Sequence, residues 1–143
     1  MYAELVQGVG EALVSGTVPG AALSFAASKA DTSSPRVLTY PSKSAGMFVP
    51  ASLIFRSDSN GEVLAGYAGA GLYESITMDP TETKVIDFSG DALMMDGEFR
   101  AKLLGDTCDI GAKIEKAMGS AQDIEGVVDP DGKITIVQTR PQV

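Results

Sequence analysis

The sequence predicts an α+β fold with a mainly antiparallel sheet and two flanking helices. Three observations predict it. Helical spacing recurs near both ends. Short apolar runs separated by turn residues fill the middle. Two strand patterns late in the chain flank Asp129-Pro130-Asp131-Gly132, a strong hairpin turn signal. Helices mixed with hairpins, rather than a strict strand–helix alternation, favour antiparallel pairing.

Taken in order, residues 1–15 read as the first helix, because Leu5, Val9 (or Gly8), Ala12 and Leu13 recur at helical spacing. Val18-Pro19-Gly20 stops it. Ala21 to Ala27 reads as a strand, and Lys29 to Pro35 as a polar, mobile loop. Val37 to Tyr40 and Gly46 to Val49 are short strands. Ser52 to Ser57 is the clearest buried strand, an apolar run that ends in charge. Residues 58–71 form a Gly-rich loop, followed by strands at Leu72 to Thr77 and Lys84 to Phe88. The second helix begins at Asp96, a plausible N-cap. It carries Phe99, Leu103, Ile110 and Ile114 and runs to about Met118, with Gly105 and Gly111 as points of weakness. Gln122 to Val128 and Lys133 to Thr139 close the chain as a hairpin.

The 143 residues suit a single domain or one lobe of a larger one. About a quarter are Leu, Ile, Val or Phe, above the roughly 20% below which chains stay disordered. No apolar run approaches the roughly 18 residues of a spanning helix. The first residues lack the basic region of a signal peptide and the Arg/Ser richness of a transit peptide. A net charge of −8 argues against nucleic acid and anionic membranes as partners. With no His, the chain supplies neither a Ser-His-Asp triad nor a phosphohistidine. With one Cys besides, a soft-ligand zinc site is excluded, so any metal is a hard cation on oxygen ligands.

Three groups of residues can carry chemistry. In the C-terminal hairpin, a four-residue turn sets Val128 opposite Lys133, Asp123 opposite Gln138 and Glu125 opposite Ile136. Asp123, Glu125, Gln138 and Arg140 then share one face. Such oxygen donors suit Mg²⁺ held jointly with a phosphate, and Arg suits a bidentate grip on phosphate. The same pattern also describes a solvated outer face carrying an ion pair. The second group is Arg56, Ser57 and the glycines at 61, 66, 69 and 71. Arg56 there can hold a phosphate, with Tyr67 and Tyr73 as loop anchors, or the stretch is an ordinary polar turn. It is not a Walker A loop, since no Gly-Lys-Ser/Thr follows. The third is Gln7-Gly8-Val9-Gly10-Glu11, which opens no helix after a strand and so fails as a Rossmann fingerprint. Cys108 lies beside Asp106 and Asp109, whose charges raise a thiol pKa and argue against reactivity.

Several of these segments together resemble a known family. They are Tyr2 to Val14, Pro19 to Phe25, Phe55 to Gly61 with Gly66 to Tyr73, and Gln122 to Val128 with Val137 to Pro141. The chain resembles the C-terminal part of the nucleotide-binding domain of the α-glucan water dikinases. More distantly it resembles phosphoenolpyruvate synthase and pyruvate phosphate dikinase. The resemblance implies the C-terminal lobe of an ATP-grasp domain, spanning 1–143, with ATP as substrate and Mg²⁺ as cofactor. It implies that Glu125 and Gln138 ligate the metal, that Arg56 and Arg140 contact phosphates as catalytic residues, and that Asp123 supports the site. Ser57 and Glu11 would line the nucleotide site. One phosphate of ATP would pass through a histidine on an absent domain to a glucan, and another to water. The partners implied are that domain, the N-terminal lobe and the glucan acceptor. The compartment implied is a plastid or the cytoplasm. The chain would be a piece of a larger phosphotransferase that does not turn over alone. Val63 and Ala65 depart from the family, which usually has Asp and Glu there. They keep open a divergent or non-catalytic nucleotide-binding module, beside a phosphoenolpyruvate-synthase-like fragment.

Overall fold

A computed structural model describes residues 1–10, 19–49, 53–55, 63–64, 67–68 and 76–142. For Ile54, Val63, Leu64, Tyr67 and Ala68 it describes the backbone alone. The architecture is α+β, and every strand pair among the described residues is antiparallel. The main sheet has the order β1 (Tyr2–Leu5), β2 (Leu23–Ser28), β3 (Asp31–Thr39), with β2 in the centre. β4 (Ala45–Phe48) pairs with β9 (Glu82–Val85). Two short pairs follow the same rule: β5 (Ile54–Phe55) pairs with β8 (Ile76–Thr77), and β6 (Val63–Leu64) with β7 (Tyr67–Ala68). A short helix α1 (Ala92–Met95) precedes the long α2 (Gly97–Met118), and β10 (Gln122–Val128) pairs with β11 (Ile134–Pro141).

The core sits where β2 meets α2. Alternation along β2 turns Leu23 and Phe25 to one face. There they pack with Leu104 and Cys108 of α2, and all four are essentially buried. Burying Leu and Phe side chains is worth about 1.5–3 kcal/mol each. Ala3, Leu5, Ala27, Val37, Leu93 and Met94 surround them. On the other face of β2 the buried Ser24 hydroxyl is 2.6 Å from that of Thr39, which satisfies both.

Two sequence expectations fail in this sheet. Tyr2–Leu5 is a strand, not the start of a helix, and it pairs with β2 from Tyr2↔Ala26 to Leu5↔Leu23. Ala3 and Leu5 face the core at a spacing of two, while Tyr2 and Glu4 are exposed. Gly8 then takes φ +93°, outside helical geometry, and a Cβ there would collide with the Met47 carbonyl. That closeness lets the Val9 amide donate to Met47 O at 2.8 Å. Residues 11–15 of the expected helix lie outside the described residues.

The second failure is the loop at 29–35. From Asp31 onward it is strand β3. Pro35 fits because β3 is an edge strand and Pro35 lies between the paired residues Asp31 and Arg36. The segment is also tied to α2 by Thr32 to Asp109 and by Lys29 to Glu115 at 2.6 Å. Of the expected buried strand at Ser52–Ser57, the described residues are 53–55: Ile54–Phe55 is a strand, Leu53 and Phe55 are exposed, and Ser52, Arg56 and Ser57 lie outside the described residues. Phe88 leaves its expected strand for a single 3-10 turn, Phe88–Gly90, capped by Asp87.

α2 matches its expectation closely. Asp96 caps it by accepting from the Glu98 and Phe99 amides at 2.9 and 3.0 Å. Glu98 lies in its first turn, Lys116 in its last, and Gly119 ends it at φ +76°. The helix runs unbroken through Gly105 and Gly111. Its fully buried stripe is Leu104 and Cys108 with Leu103 beside them, whereas the expected Phe99, Ile110 and Ile114 flank the core half-buried. Gly111 admits neighbours: a Cβ there would lie 3.2 Å from the Met1 sulfur and 4.0 Å from Ile124 of β10. Among the described residues no helix is long and apolar enough to cross a membrane.

Candidate functional site

The β10–β11 hairpin presents the only group of sequence-predicted site residues that the described structure brings together. Its turn holds five residues, 129–133, between the paired Val128 and Ile134. The Gly132 amide donates to Asp129 O at 2.9 Å, and the Asp129 amide to Lys133 O at 3.1 Å. The Asp129 carboxylate also accepts from the Asp131 and Lys133 amides at 3.0 and 2.9 Å. Gly132 takes φ +80°, the left-handed residue that such loops demand, and sits against the Phe99 ring of α2.

The register differs from the one a four-residue turn predicts. Val128 pairs with Ile134, Val127 with Thr135 and Gly126 with Ile136. A bulge then intervenes, after which Glu125 pairs with Gln138, Ile124 with Thr139, Asp123 with Arg140 and Gln122 with Pro141. Asp123 is therefore opposite Arg140 rather than Gln138, and Glu125 opposite Gln138 rather than Ile136. The five-residue turn and the bulge each shift the pairing by one residue. Two shifts restore the original parity, so Asp123, Glu125, Gln138 and Arg140 still share one face. Ile136 does not join them, because the five-residue turn alone sets it opposite Gly126, on the other face, before the bulge intervenes.

Arg140 organises that face. Its Nε donates to Asp123 Oδ2 at 3.0 Å and its Nη2 to Glu125 Oε1 at 3.1 Å. The Arg140 side chain is 20% exposed, against 56% for Asp123 and 37% for Glu125. One guanidinium thus bridges two carboxylates at a half-buried edge, with an amide side chain directly across from one of them. The opposite face carries Ile124, which reaches toward Gly111 of α2, and Thr139, whose hydroxyl donates to Gln122 Oε1 at 3.0 Å. The charged face therefore points away from the helix.

The other expected site residues are not placed. Glu11, Arg56, Ser57, Ala65, Tyr73 and the glycines at 61, 66, 69 and 71 lie outside the described residues, and only the backbone of Val63 and Tyr67 is described. Among the described residues no cluster of three or more Asp, Glu, Cys or His side chains is arranged to hold a metal ion. The donor types on the hairpin, two carboxylates and one amide oxygen, are nonetheless those a hard cation takes.

Sequence reasoning missed the bulge and its extra residue, Val137. The signal was present: Gly126 stands alone inside a strand pattern, directly after Glu125. Cys108 is fully buried, and burial pushes its thiol up, with Asp109 adding to the effect. Burial rather than the neighbouring carboxylates is the main cause.

Comparison with known proteins bears on the same residues. All 143 residues align with an α-glucan water dikinase of Citrus reticulata at 59% identity. They align with one of Solanum tuberosum at 59% and with α-glucan water dikinase 1 of Arabidopsis thaliana at 55%. The chain is a homologue of the α-glucan water dikinases. It spans about 10% of the length of these three relatives, which are described as chloroplastic. No family model and no solved structure matches it.

Proposed function

We propose that this α-glucan water dikinase homologue is the part of an ATP-grasp nucleotide-binding lobe that holds the phosphates and metal of ATP. The observation that carries the reading is the Arg140 bridge across Asp123 and Glu125, with Gln138 opposite Glu125 on the same face. Arg has five N–H donors in a fixed fork. Among the described residues the bridge engages two nitrogens, which leaves donors to grip a phosphate oxygen.

In this reading Glu125 and Gln138 hold Mg²⁺, a hard cation suited to one or two protein oxygens shared with phosphate. The ion, when bound, would neutralise phosphate charge. Asp123 fixes the Arg140 guanidinium so that it meets the nucleotide preorganised. Arg56 supplies a second phosphate contact, and Ser57 and Glu11 line the site. The chain has no histidine, so a phosphohistidine relay to a glucan needs a domain beyond these residues. The names of the relatives support a glucan and water as the acceptors.

The test is calorimetric titration of Mg-ATP into the chain, beside a Glu125→Ala, Gln138→Ala double variant. Saturable, magnesium-dependent binding that the variant loses supports the reading. Wild-type binding that the variant retains moves the metal and phosphates elsewhere. Absence of wild-type binding up to millimolar ATP removes the claim that this lobe is sufficient.

A further inference from the structure

The four residues Ile134, Ile136, Gln138 and Arg140 are spaced by two, so in a regular strand all would share one face. They do not. Ile134 and Ile136 pair with Val128 and Gly126, while Gln138 and Arg140 pair with Glu125 and Asp123. β10 keeps its alternation, so Val128 and Gly126 lie on one face and Glu125 and Asp123 on the other. Val137 is the extra residue that absorbs the difference, at the step between Glu125 and Gly126.

Continued without that bulge, the ladder would pair Glu125 with Val137 and Asp123 with Thr139. Gln138 and Arg140 would then turn to the face of Ile124, which packs toward α2 at Gly111. A one-residue slip flips every side chain beyond it, so it would separate the guanidinium from both carboxylates. Gly126 makes the irregular step possible. A Cβ there would lie 3.1 Å from the Thr135 carbonyl oxygen and 3.3 Å from the Ile136 side chain, tight contacts with backbone on one side.

We infer that the Gly126–Val137 bulge is the positioning device of the site, and that it puts Gln138 and Arg140 on the carboxylate face. Gly126 is a positioning residue and touches no ligand. The functional consequence rests on the Mg-ATP reading above, whereas the register is tested independently of it.

Three variants test the device: Gly126→Val, deletion of Val137, and the two combined. Cross-strand nuclear Overhauser effects between Ile124 and Thr139 read the register, and Mg-ATP titration reads the site. Gly126→Val should lose the Ile124–Thr139 contact and weaken Mg-ATP at least about tenfold, the loss expected when a charge-assisted contact is removed. Deleting Val137 leaves a straight ladder with the same pairs, Gly126 with Ile136 and Glu125 with Gln138. That variant should keep the contact and bind within about threefold of wild type.

The combined variant decides between register and simple damage. A straight ladder accommodates Val at 126, so register and binding should both return. Failure of the combined variant to regain the Ile124–Thr139 contact overturns the inference. So does an unshifted register in a folded Gly126→Val chain, or lost binding in the deletion variant with the register intact. If Gly126→Val does not fold, the deletion and combined variants still decide. If wild type shows no Mg-ATP binding, the functional reading fails, and the Overhauser contacts alone decide what the bulge does.

Discussion

The β2–α2 core and the β10–β11 hairpin are built on opposite terms. In the core, Leu23, Phe25, Leu104 and Cys108 are buried to within 1% of completely. In the hairpin, Val127, Val137 and Ile136 remain 55%, 54% and 36% exposed, and the most organised side chain is a charged one, Arg140. The core is held by apolar area removed from water, which no single polar contact there rivals. The hairpin is held by backbone register, a tight turn and contacts with α2. Its charged face adds little stability, because the ion pairs there are partly solvated.

The sharpest way to break this contrast is Phe25→Ala. Truncating a fully buried Phe should cost about 3–5 kcal/mol in urea unfolding. A cost near that of a surface change would mean the core does not dominate. Next is Gly132→Ala, which forces an L-residue into the left-handed region and presses a Cβ on Phe99. It should cost about 1–2 kcal/mol, measured the same way. A negligible cost would show that the turn does not fasten the hairpin to α2.

Cys108 adds a pH test of the core. Its folded thiol keeps the proton to higher pH than the unfolded thiol, whose ordinary value is 9.0. Above that value the unfolded chain loses a proton that the folded chain retains. Stability should therefore fall as pH rises past about 9, a slope that Cys108→Ala removes. In native buffer the buried thiol should react with a disulfide reagent only as fast as the chain unfolds. Rapid labelling without unfolding would contradict its burial.

The smallest stability effect should come from Arg140→Ala, within about 1 kcal/mol, because the pairs it breaks are partly solvated. The same variant should weaken Mg-ATP at least about tenfold. A large stability loss with unchanged nucleotide binding would reverse the division of labour between the two regions.

Much of the candidate site was legible in the sequence. Charged residues at a spacing of two on strands flanking a strong turn led to one shared face. The pairing itself was not legible, since two one-residue shifts, one in the turn and one at Gly126, cancel in parity but not in partner. Parity survives an even number of slips, and partners survive none. Arg56, Ser57 and Glu11 lie outside the described residues, so their place in the site rests on the resemblance.

The sequence alone determined the features whose causes are local. Asp96 and Gly119 bound α2, Asp129 to Gly132 make the turn between β10 and β11, and the missing His excludes a phosphohistidine on these residues. Tertiary structure decided what depends on distant partners. Tyr2 to Leu5 fits a helical or an extended pattern equally, and becomes a strand because β2, some twenty residues on, offers it a ladder. The polar stretch after Ser28 becomes β3 because it extends the same sheet and bonds to α2. The bulge sets Ile134 and Ile136 on one face and Gln138 and Arg140 on the other, although all four are spaced by two. Short patterns carry too little local preference to settle such choices, and long-range pairing settles them instead.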